Sequence, residues 1–182
     1  MSRVPFAKRE DLSPDDQKLW DEFGKSRGDV ARNYAALFNN PRVAARFGDL
    51  GSFARYENKL DPRVKALGVL TSAREVNGHY VWTVNQKPAR DAGLTDDIIS
   101  AIREFRAPVG LEPGDAVVVQ FFLELLRQHR VSDATFEALR SRLGDAGIIE
   151  LMVVAGYYQA LANCLQALEV DLPEGVTSAL TY

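Results

Sequence analysis

Helix-start signals recur along this chain, and they constrain its fold more than any other feature of the sequence. Ser13-Pro14 and Asp61-Pro62 each place a capping residue directly before proline, which is favoured at the first helical position. Pro41 opens a further segment in which apolar residues recur at helical spacing. No stretch alternates apolar and polar residues long enough for a convincing strand. The sequence therefore predicts an all-α protein.

About nine helices are predicted in one domain over residues 1–182, with an arm at 1–12 and a loose tail at 172–182. The predicted helices cover residues 14–25, 30–38, 41–56, 62–76, 78–92, 98–105, 115–129, 133–143 and 148–168. Turns are predicted at 26–28 and 144–147. Lys59-Leu60-Asp61 and Arg142-Leu143-Gly144-Asp145 both lead into apolar helices. An internal helical repeat and shared helix-start chemistry explain this echo equally well.

Composition excludes several classes of function. The chain has 182 residues and a net charge of −3, with no basic patch, so no nucleic-acid surface is expected. Its one cysteine, Cys164, cannot form an intramolecular disulfide, a CxxC redox pair or a cysteine-based zinc site. The two histidines are far apart in sequence and no nucleotide-binding glycine motif occurs, so neither a metal nor a cofactor is expected.

The most apolar run extends over residues 148–168 and approaches membrane-spanning length. Four polar residues interrupt it: Glu150, Gln159, Asn163 and Gln166. We therefore expect a buried or interface helix and no membrane segment. The N-terminal residues are polar and lack the apolar region of a secretion signal, which favours a cytoplasmic protein.

Residues 60–94 hold the densest mix of polar and aromatic side chains, and their motifs resemble a known family. Leu60-Asp61-Pro62-Arg63 resembles the LxPR opening of the carboxymuconolactone decarboxylase family, which also contains the alkylhydroperoxidase D proteins. Tyr80-Val81-Trp82 is similar to the YEW run of one branch, and residues 89–99 are similar to the ending A-x-x-A-G-L-[ST]-x-x-x-I. Similar segments at 124–136 and 150–158 extend the resemblance to roughly residues 35–175. It implies an alkylhydroperoxidase D-like helical bundle.

The resemblance also locates the family's chemistry. The peroxidase branch uses a CxxCxxxH motif with a glutamate on the preceding helix, and the decarboxylase-like branch uses glutamate and histidine as acid and base. By position these groups fall on Gly78, Val81, Asn85 and Ala66 of this chain. None of these side chains titrates, so thiol peroxidase activity is not expected. Cys164 is predicted to lie in an inert apolar core.

Polar residues on the same two predicted helices are the catalytic candidates. His79 and Glu75 are predicted to transfer protons, and Asn85 and Tyr80 to hold a developing enolate by hydrogen bonds. Each has a plainer alternative that the sequence leaves open. His79 suits an exposed helix start, Glu75 suits a surface salt bridge with a nearby basic residue, and Tyr80 suits packing.

Four further residues are candidates for binding a substrate: Trp82, Gly78, Arg63 and Tyr34. Trp82 would form a pocket wall or else lie in the core. Gly78 would leave room for a ligand or simply start its helix. Arg63 fits the opening motif of the family, which also suits a structural role.

Two functions remain as hypotheses. The resemblance implies a decarboxylase-like lyase that acts on a small lactone or unsaturated carboxylic acid with a remodelled site. The alternative is a non-catalytic family member that binds a small ligand or a protein partner. Family members commonly assemble as trimers or hexamers, so a homo-oligomer is expected, and the apolar helix at 148–168 would suit its interface.

Overall fold

The computed structural model of the protein describes residues 2–180 apart from the Ser26 side chain, and all regular structure among them is helical. Eight α-helices follow in order: α1 Pro14–Arg27, α2 Arg32–Leu37, α3 Pro41–Ser52, α4 Pro62–Glu75, α5 His79–Asp91, α6 Asp96–Arg103, α7 Pro113–Leu123 and α8 Asp133–Ala167. A 3₁₀ turn precedes α1 at Arg9–Asp11, and π-helical turns extend α3 and α7 at Phe53–Glu57 and Glu124–Gln128. The all-α prediction is confirmed. Residues 1, 181 and 182 of the predicted arm and tail lie outside the described residues.

The predicted helix starts are present with their caps. The Ser13 hydroxyl accepts the Asp16 backbone N–H at 3.2 Å. The Asp61 carboxylate accepts the N–H groups of Arg63 and Val64 at 2.9 and 3.2 Å. These bonds satisfy donors that the first helical turn leaves unpaired, and such caps are typically worth about 1 kcal/mol each.

Several predicted boundaries are wrong by a few residues. The turn predicted at 26–28 is the last turn of α1, which Gly28 ends in the left-handed region at φ 82°. The turn predicted at 144–147 reduces to a break at Gly144, with φ 66° and ψ 173°, inside the long α8. The last turns of the third and seventh predicted helices are π-helical, a change that apolar spacing does not reveal.

Helix α4 lies at the centre and packs against α5, α7 and α8. Its residues 67–73 are all buried. Gly68 allows the close approach, because a Cβ there would lie 2.8 Å from Leu151 Cδ1 and 2.9 Å from Phe122 Cε2. The sequence-based expectation of a central fourth helix is confirmed.

A smaller apolar cluster joins helices α1 to α3 at one side of this core. Phe23, Tyr34 and Phe38 are its buried aromatic residues. Tyr34 connects it to the main core, because its hydroxyl lies 2.8 Å from the Tyr157 hydroxyl of α8. This hydrogen bond between two buried hydroxyls links the smaller cluster to the main core.

Helix α8 is long and apolar enough to cross a membrane by length and composition. Its buried residues, including Leu151, Val154 and Leu165, pack within the main apolar core. Core helices of globular proteins meet the same length and composition criteria, so this single helix is weak support for a membrane span.

Candidate functional site

Two cavities border Asn85 of α5, and both are also lined by Arg55 of the π-helical turn after α3. The tyrosine cavity has a volume of about 160 Å³ and is lined by Tyr34, Tyr80, Tyr157, Tyr158, Arg27 and Asp29, among others. The lysine cavity has a volume of about 350 Å³ and is lined by Lys65 and by apolar residues that include Leu60, Ala66, Val69 and Pro88. Arg55 and Asn85 therefore form the junction of the two cavities.

Asn85 lies half-buried at this junction. Its Nδ2 donates to the Val81 backbone oxygen at 2.7 Å, which fixes the amide against its own helix. The second N–H and the carbonyl oxygen of the amide remain for a ligand. Of the other positions that correspond to the family's reactive groups, Ala66 lines the lysine cavity and Val81 lines the tyrosine cavity.

Gly78, the remaining such position, lies away from both cavities. A Cβ on Gly78 would lie 2.7 Å from the Ala162 Cβ of α8. The glycine therefore allows close packing of α5 on α8, and the structure does not place it at a ligand site.

The tyrosine hydroxyls are held in a buried network. Tyr34 and Tyr157 share a 2.8 Å hydrogen bond, and Tyr158 lies near the positive charge of the Arg55 side chain. Burial raises the pKa of Tyr34, Tyr80 and Tyr158 above the ordinary tyrosine value. These phenols are therefore protonated at neutral pH and act as hydrogen-bond donors rather than bases.

Arg27 provides a second cation at the tyrosine cavity. Its guanidinium donates to the Gly48 backbone oxygen at 2.7 Å and to Ser52 Oγ at 3.0 Å, and lies 4.1 Å above the Phe23 ring centroid. Asp29 lies at the same cavity, and its carboxylate accepts the Val30 N–H at 2.7 Å.

Lys65 brings an amine to the apolar wall of the lysine cavity. Its Nζ donates to the Arg55 backbone oxygen at 3.0 Å. Burial, and to a lesser degree the Arg55 charge, lower the pKa of the Lys65 amine below its ordinary value. The amine is thus easier to deprotonate than a surface lysine.

The structure brings together three of the predicted site residues: Asn85, Tyr80 and Tyr34 all line the tyrosine cavity. Trp82 lines neither cavity and is fully buried in the core. Arg63 donates to Asp115 at 2.5 Å and to the Gly93 backbone oxygen, so it connects α4 to the chain that follows α5 and to α7. Both positions match the plainer alternatives that the sequence left open.

The two predicted proton-transfer residues lie away from Asn85. His79 is buried against the C-terminal segment, with Nδ1 2.9 Å from Ser178 Oγ and Nε2 3.3 Å from Asn77 Nδ2. Burial and the charge of Arg74 lower the pKa of His79. The structure therefore places a neutral imidazole at the C-terminal segment instead of the exposed helix start that the sequence had offered as the alternative.

Glu75 is engaged in an ion pair at the far end of α4. Arg127 donates to its two carboxylate oxygens at 2.8 and 2.6 Å. The plainer alternative for Glu75 was a salt bridge with a basic residue near it in sequence, and the observed partner lies 52 residues away. Neither Glu75 nor His79 lines the tyrosine or the lysine cavity.

The polar and charged site residues without a counterpart in the sequence-based prediction include Arg27, Asp29, Arg55, Lys65, Tyr157 and Tyr158. The paired tyrosines Tyr157 and Tyr158 fall in the segment at 150–158 that extends the family resemblance, but they were not candidates for the site. Arg55 and Lys65 belong to no recognised motif, and their proximity depends on how the segments around α3 and α4 pack. Within residues 2–180, no three His, Cys, Asp or Glu side chains come together in a group that could hold a metal ion.

No family model and no curated protein matches the sequence. Solved structures match it over nearly its whole length. An uncharacterised peroxidase-related protein of Ralstonia eutropha with an alkylhydroperoxidase AhpD core matches with a TM-score of 0.75 and 16% identity, over 95% of this chain and 93% of that chain. A peroxidase-related protein of a Silicibacter species matches with a TM-score of 0.73 and 15% identity, over 96% and 93% of the two chains.

The debrominase Bmp8, in a variant bound to 2,3,4-tribromopyrrole, is a third similar structure. Its TM-score is 0.72 at 14% identity, and the match covers 96% of this chain and 95% of that chain. At such identities a match shows a shared fold and leaves the chemistry to be argued from the side chains.

Proposed function

We propose that this chain, which has the alkylhydroperoxidase D-like fold, is a divergent member of the carboxymuconolactone decarboxylase family that acts as a decarboxylase-type lyase on a small carboxylic acid. One observation carries the proposal: Arg55 and Asn85 line both cavities. A carboxylate bound at this junction contacts a guanidinium and an amide, while the rest of the molecule occupies the lysine cavity. A lactone or an unsaturated acid is the substrate class that the family resemblance favours.

The charges around the junction support an anionic ligand. Arg27, Arg55 and Lys65 contribute three cations among the described lining residues, and Asp29 contributes one carboxylate. A guanidinium matches the geometry of a carboxylate and forms charge-assisted hydrogen bonds with it. Tyr158, which also lines the tyrosine cavity, lies near the Arg55 side chain.

Loss of carbon dioxide leaves a developing enolate, which requires hydrogen-bond donors. Tyr80 and the free N–H of Asn85 supply such donors from adjacent turns of α5. The product carbon must then receive a proton. The Lys65 amine and the tyrosine hydroxyls line the cavities and can donate it, whereas His79 and Glu75 line neither cavity.

The binding step is tested by calorimetry with a panel of small lactones and unsaturated carboxylic acids. Arg55→Met is expected to weaken binding about 10- to 100-fold, since hydrogen bonds to charged groups are typically worth about 1.5–3 kcal/mol. Arg46→Met is the matched control, because Arg46 is exposed on α3 and lines neither cavity. Equal affinity of both variants for every acid that binds would contradict the proposed junction site.

The chemical step is tested by following carbon dioxide release from the acids that bind. We expect Arg55→Met and Tyr80→Phe to reduce turnover, and His79→Ala and Glu75→Gln to retain it when the proteins are folded. Turnover that depends on His79 or Glu75 and is indifferent to Arg55 would overturn this assignment.

A second candidate function is ligand binding without turnover. It is favoured by the side chains at the family's reactive positions, since Ala66, Val81 and Asn85 cannot transfer protons at neutral pH. Affinity that depends on Arg55, with no product from any acid in the panel, would select this alternative.

We further propose that the protein is a homo-oligomer, a trimer or a hexamer, which associates through α8. Ile149, Met152 and Val153 lie on one face of α8 at helical spacing and are exposed. Contiguous exposed apolar side chains mark association surfaces. Sedimentation equilibrium at micromolar concentration should give a multiple of the chain mass of 20.2 kDa, and Met152→Glu should shift the protein toward the monomer.

A further inference from the structure

Lys65 differs from other lysines of this chain in what surrounds its amine. Lys18 and Lys87 form ion pairs with Asp15 and Asp91 at 2.8 and 2.6 Å. Within residues 2–180, no carboxylate forms an ion pair with Lys65, and its Nζ is held by the Arg55 carbonyl at 3.0 Å. The amine is therefore fixed at the wall of a cavity without a counter-ion.

The lysine cavity around this amine is mostly apolar. Alanine, valine, leucine and proline side chains from α4, α5 and the loop between residues 58 and 62 form most of its wall. Among the described lining residues, Arg55 and Lys65 carry the only charges, and both are cations. An amine that is desolvated and lies beside another cation is activated as a nucleophile, because its neutral form is favoured. The lowered pKa of Lys65 agrees with this environment.

We propose that Lys65 is the nucleophile of this site and forms an imine with the ketone of a small 3-oxo acid whose carboxylate is bound by Arg55. The inference rests on the proposed decarboxylase-type function and narrows its substrate class. A 3-oxo acid places a ketone carbon two bonds from the carboxylate carbon. Lys65 Nζ donates to the Arg55 backbone oxygen, and both residues line the lysine cavity, so the amine and the guanidinium are available to the two groups of one ligand.

The proposed reaction needs no co-reactant besides water and a proton. The neutral amine adds to the ketone carbon, a C–N bond forms, and loss of one water gives a protonated imine. The bond between the α-carbon and the carboxylate then breaks, its electron pair moves toward the imine nitrogen, and carbon dioxide leaves an enamine. The α-carbon takes up a proton, and one water hydrolyses the imine to release the ketone and restore the amine.

The electrostatics of the cavity favour these steps. The apolar wall favours loss of water from the first adduct, and the enamine carries less charge than the enolate that a direct decarboxylation would produce. Tyr80, at the adjoining tyrosine cavity, is a protonated phenol that can supply a hydrogen bond to the reacting centre.

The experiment is reductive trapping of the whole chain with sodium cyanoborohydride and 3-oxobutanoate or oxaloacetate, followed by peptide mass spectrometry. One adduct per chain is expected, on the peptide that contains Lys65. Lys65→Met and Lys65→Arg should both abolish it, because neither side chain forms an imine. The matched control is Lys59→Met, which removes an exposed lysine that lies outside the cavity and should leave labelling unchanged.

A second measurement guards against a variant that fails to fold. Decarboxylation of the same acids by the wild-type protein in H₂¹⁸O should place the heavy oxygen in the ketone product at early times, since imine hydrolysis adds one solvent oxygen. Labelling spread over exposed lysines, or no labelling of the wild-type chain, would overturn the inference. Turnover that depends on Arg55 without oxygen exchange or trapping would also overturn it while leaving the proposed function intact, and loss of acid binding would instead end the proposed function.

Discussion

Arg63 and Lys65 lie two residues apart on α4 and have opposite electrostatic surroundings. Arg63 Nε lies 2.5 Å from Oδ2 of the buried Asp115, whose other oxygen accepts a bond from Arg142 at 2.9 Å. Lys65 meets a backbone carbonyl and a second cation, Arg55. One side of the helix thus holds a neutralised carboxylate, and the other holds positive charge with which no carboxylate of residues 2–180 forms an ion pair.

This difference separates structural charge from charge that is available to a ligand. Burial alone would raise the pKa of Asp115, but hydrogen bonds from Arg63 and Arg142 outweigh it and lower the pKa. The charge of the Asp115 carboxylate is therefore neutralised by two arginines of the same chain. Lys65 and Arg55 form no ion pair with a carboxylate of residues 2–180, and the carboxylate of the proposed ligand would supply their counter-ion.

The strongest test of the comparison is Asp115→Asn. It leaves two arginines facing a neutral amide in a buried position, and removing one partner of a buried ionic group typically costs about 3–5 kcal/mol. We expect the free energy of unfolding, measured with urea, to fall by about that amount. Asp49→Asn, at an exposed position of α3, should leave it within about 0.5 kcal/mol. Similar losses in both variants would show that the ion pairs of Asp115 contribute no more to stability than an exposed carboxylate does.

A second prediction concerns Gly51, which supports the tyrosine cavity. A Cβ there would lie 2.6 Å from the Tyr157 hydroxyl and 2.8 Å from the Tyr34 hydroxyl. Gly51→Ala should therefore separate the pair and cost about 1–3 kcal/mol of unfolding free energy.

Gly24→Ala is the matched control for Gly51→Ala, because outside its own helix a Cβ at this position of α1 would meet nothing nearer than Val30 Cγ2 at 3.9 Å, an ordinary contact. It should be neutral or stabilising by about 0.5–1 kcal/mol, since alanine is favoured over glycine inside a helix. A neutral Gly51→Ala would show that the cavity tyrosines move to accommodate the added methyl group and are not fixed as Asp115 is.

A smaller effect is expected from the tyrosine pair itself. Tyr34→Phe and Tyr157→Phe each remove one hydroxyl of a 2.8 Å hydrogen bond, and each should cost about 1 kcal/mol. The double variant should cost less than the sum, because the second substitution removes a hydroxyl that has already lost its partner. Additive losses in a urea-unfolding cycle would indicate that the two hydroxyls are not coupled.

The comparison also shows what the sequence could predict. Helix starts are local, so Ser13, Asp61 and their prolines indicated α1 and α4 correctly. The position of Asn85 on α5 is likewise a matter of local spacing, and the structure places it at the cavities together with Tyr80 and Tyr34. The all-α class and the helix starts follow from such short-range patterns, whereas the alkylhydroperoxidase D-like bundle was predicted from the family resemblance.

Partners from distant parts of the chain could not be predicted in this way. Glu75 pairs with Arg127 and His79 contacts Ser178, contacts that span 52 and 99 residues and depend on how helices pack. Arg55 was missed for another reason: it lies in a π-helical turn, where the side chains depart from the helical spacing used to assign faces.

The last prediction concerns Glu124, a second carboxylate that is stabilised by hydrogen bonds within the fold. It accepts hydrogen bonds from Gln120 at 2.9 Å, the Ser132 N–H at 2.7 Å and the Thr135 hydroxyl at 2.8 Å, and these lower its pKa from 4.5 to about 2. Since the folded pKa is depressed, its stabilising contribution is complete above about pH 4.5 and is lost as the pH falls toward about 2.

Urea unfolding between pH 5 and pH 2.5 should therefore show a loss of stability on acidification that is smaller in Glu124→Gln than in the wild-type chain. Glu22→Gln, at an exposed position of α1, should keep the wild-type slope. Equal slopes in all three proteins would mean that Glu124 is not held as its hydrogen bonds indicate. A reduced slope only in Glu124→Gln would identify Glu124, with Asp115, as a carboxylate that stabilises the fold, in contrast to the Lys65 and Arg55 cations, for which we propose a ligand.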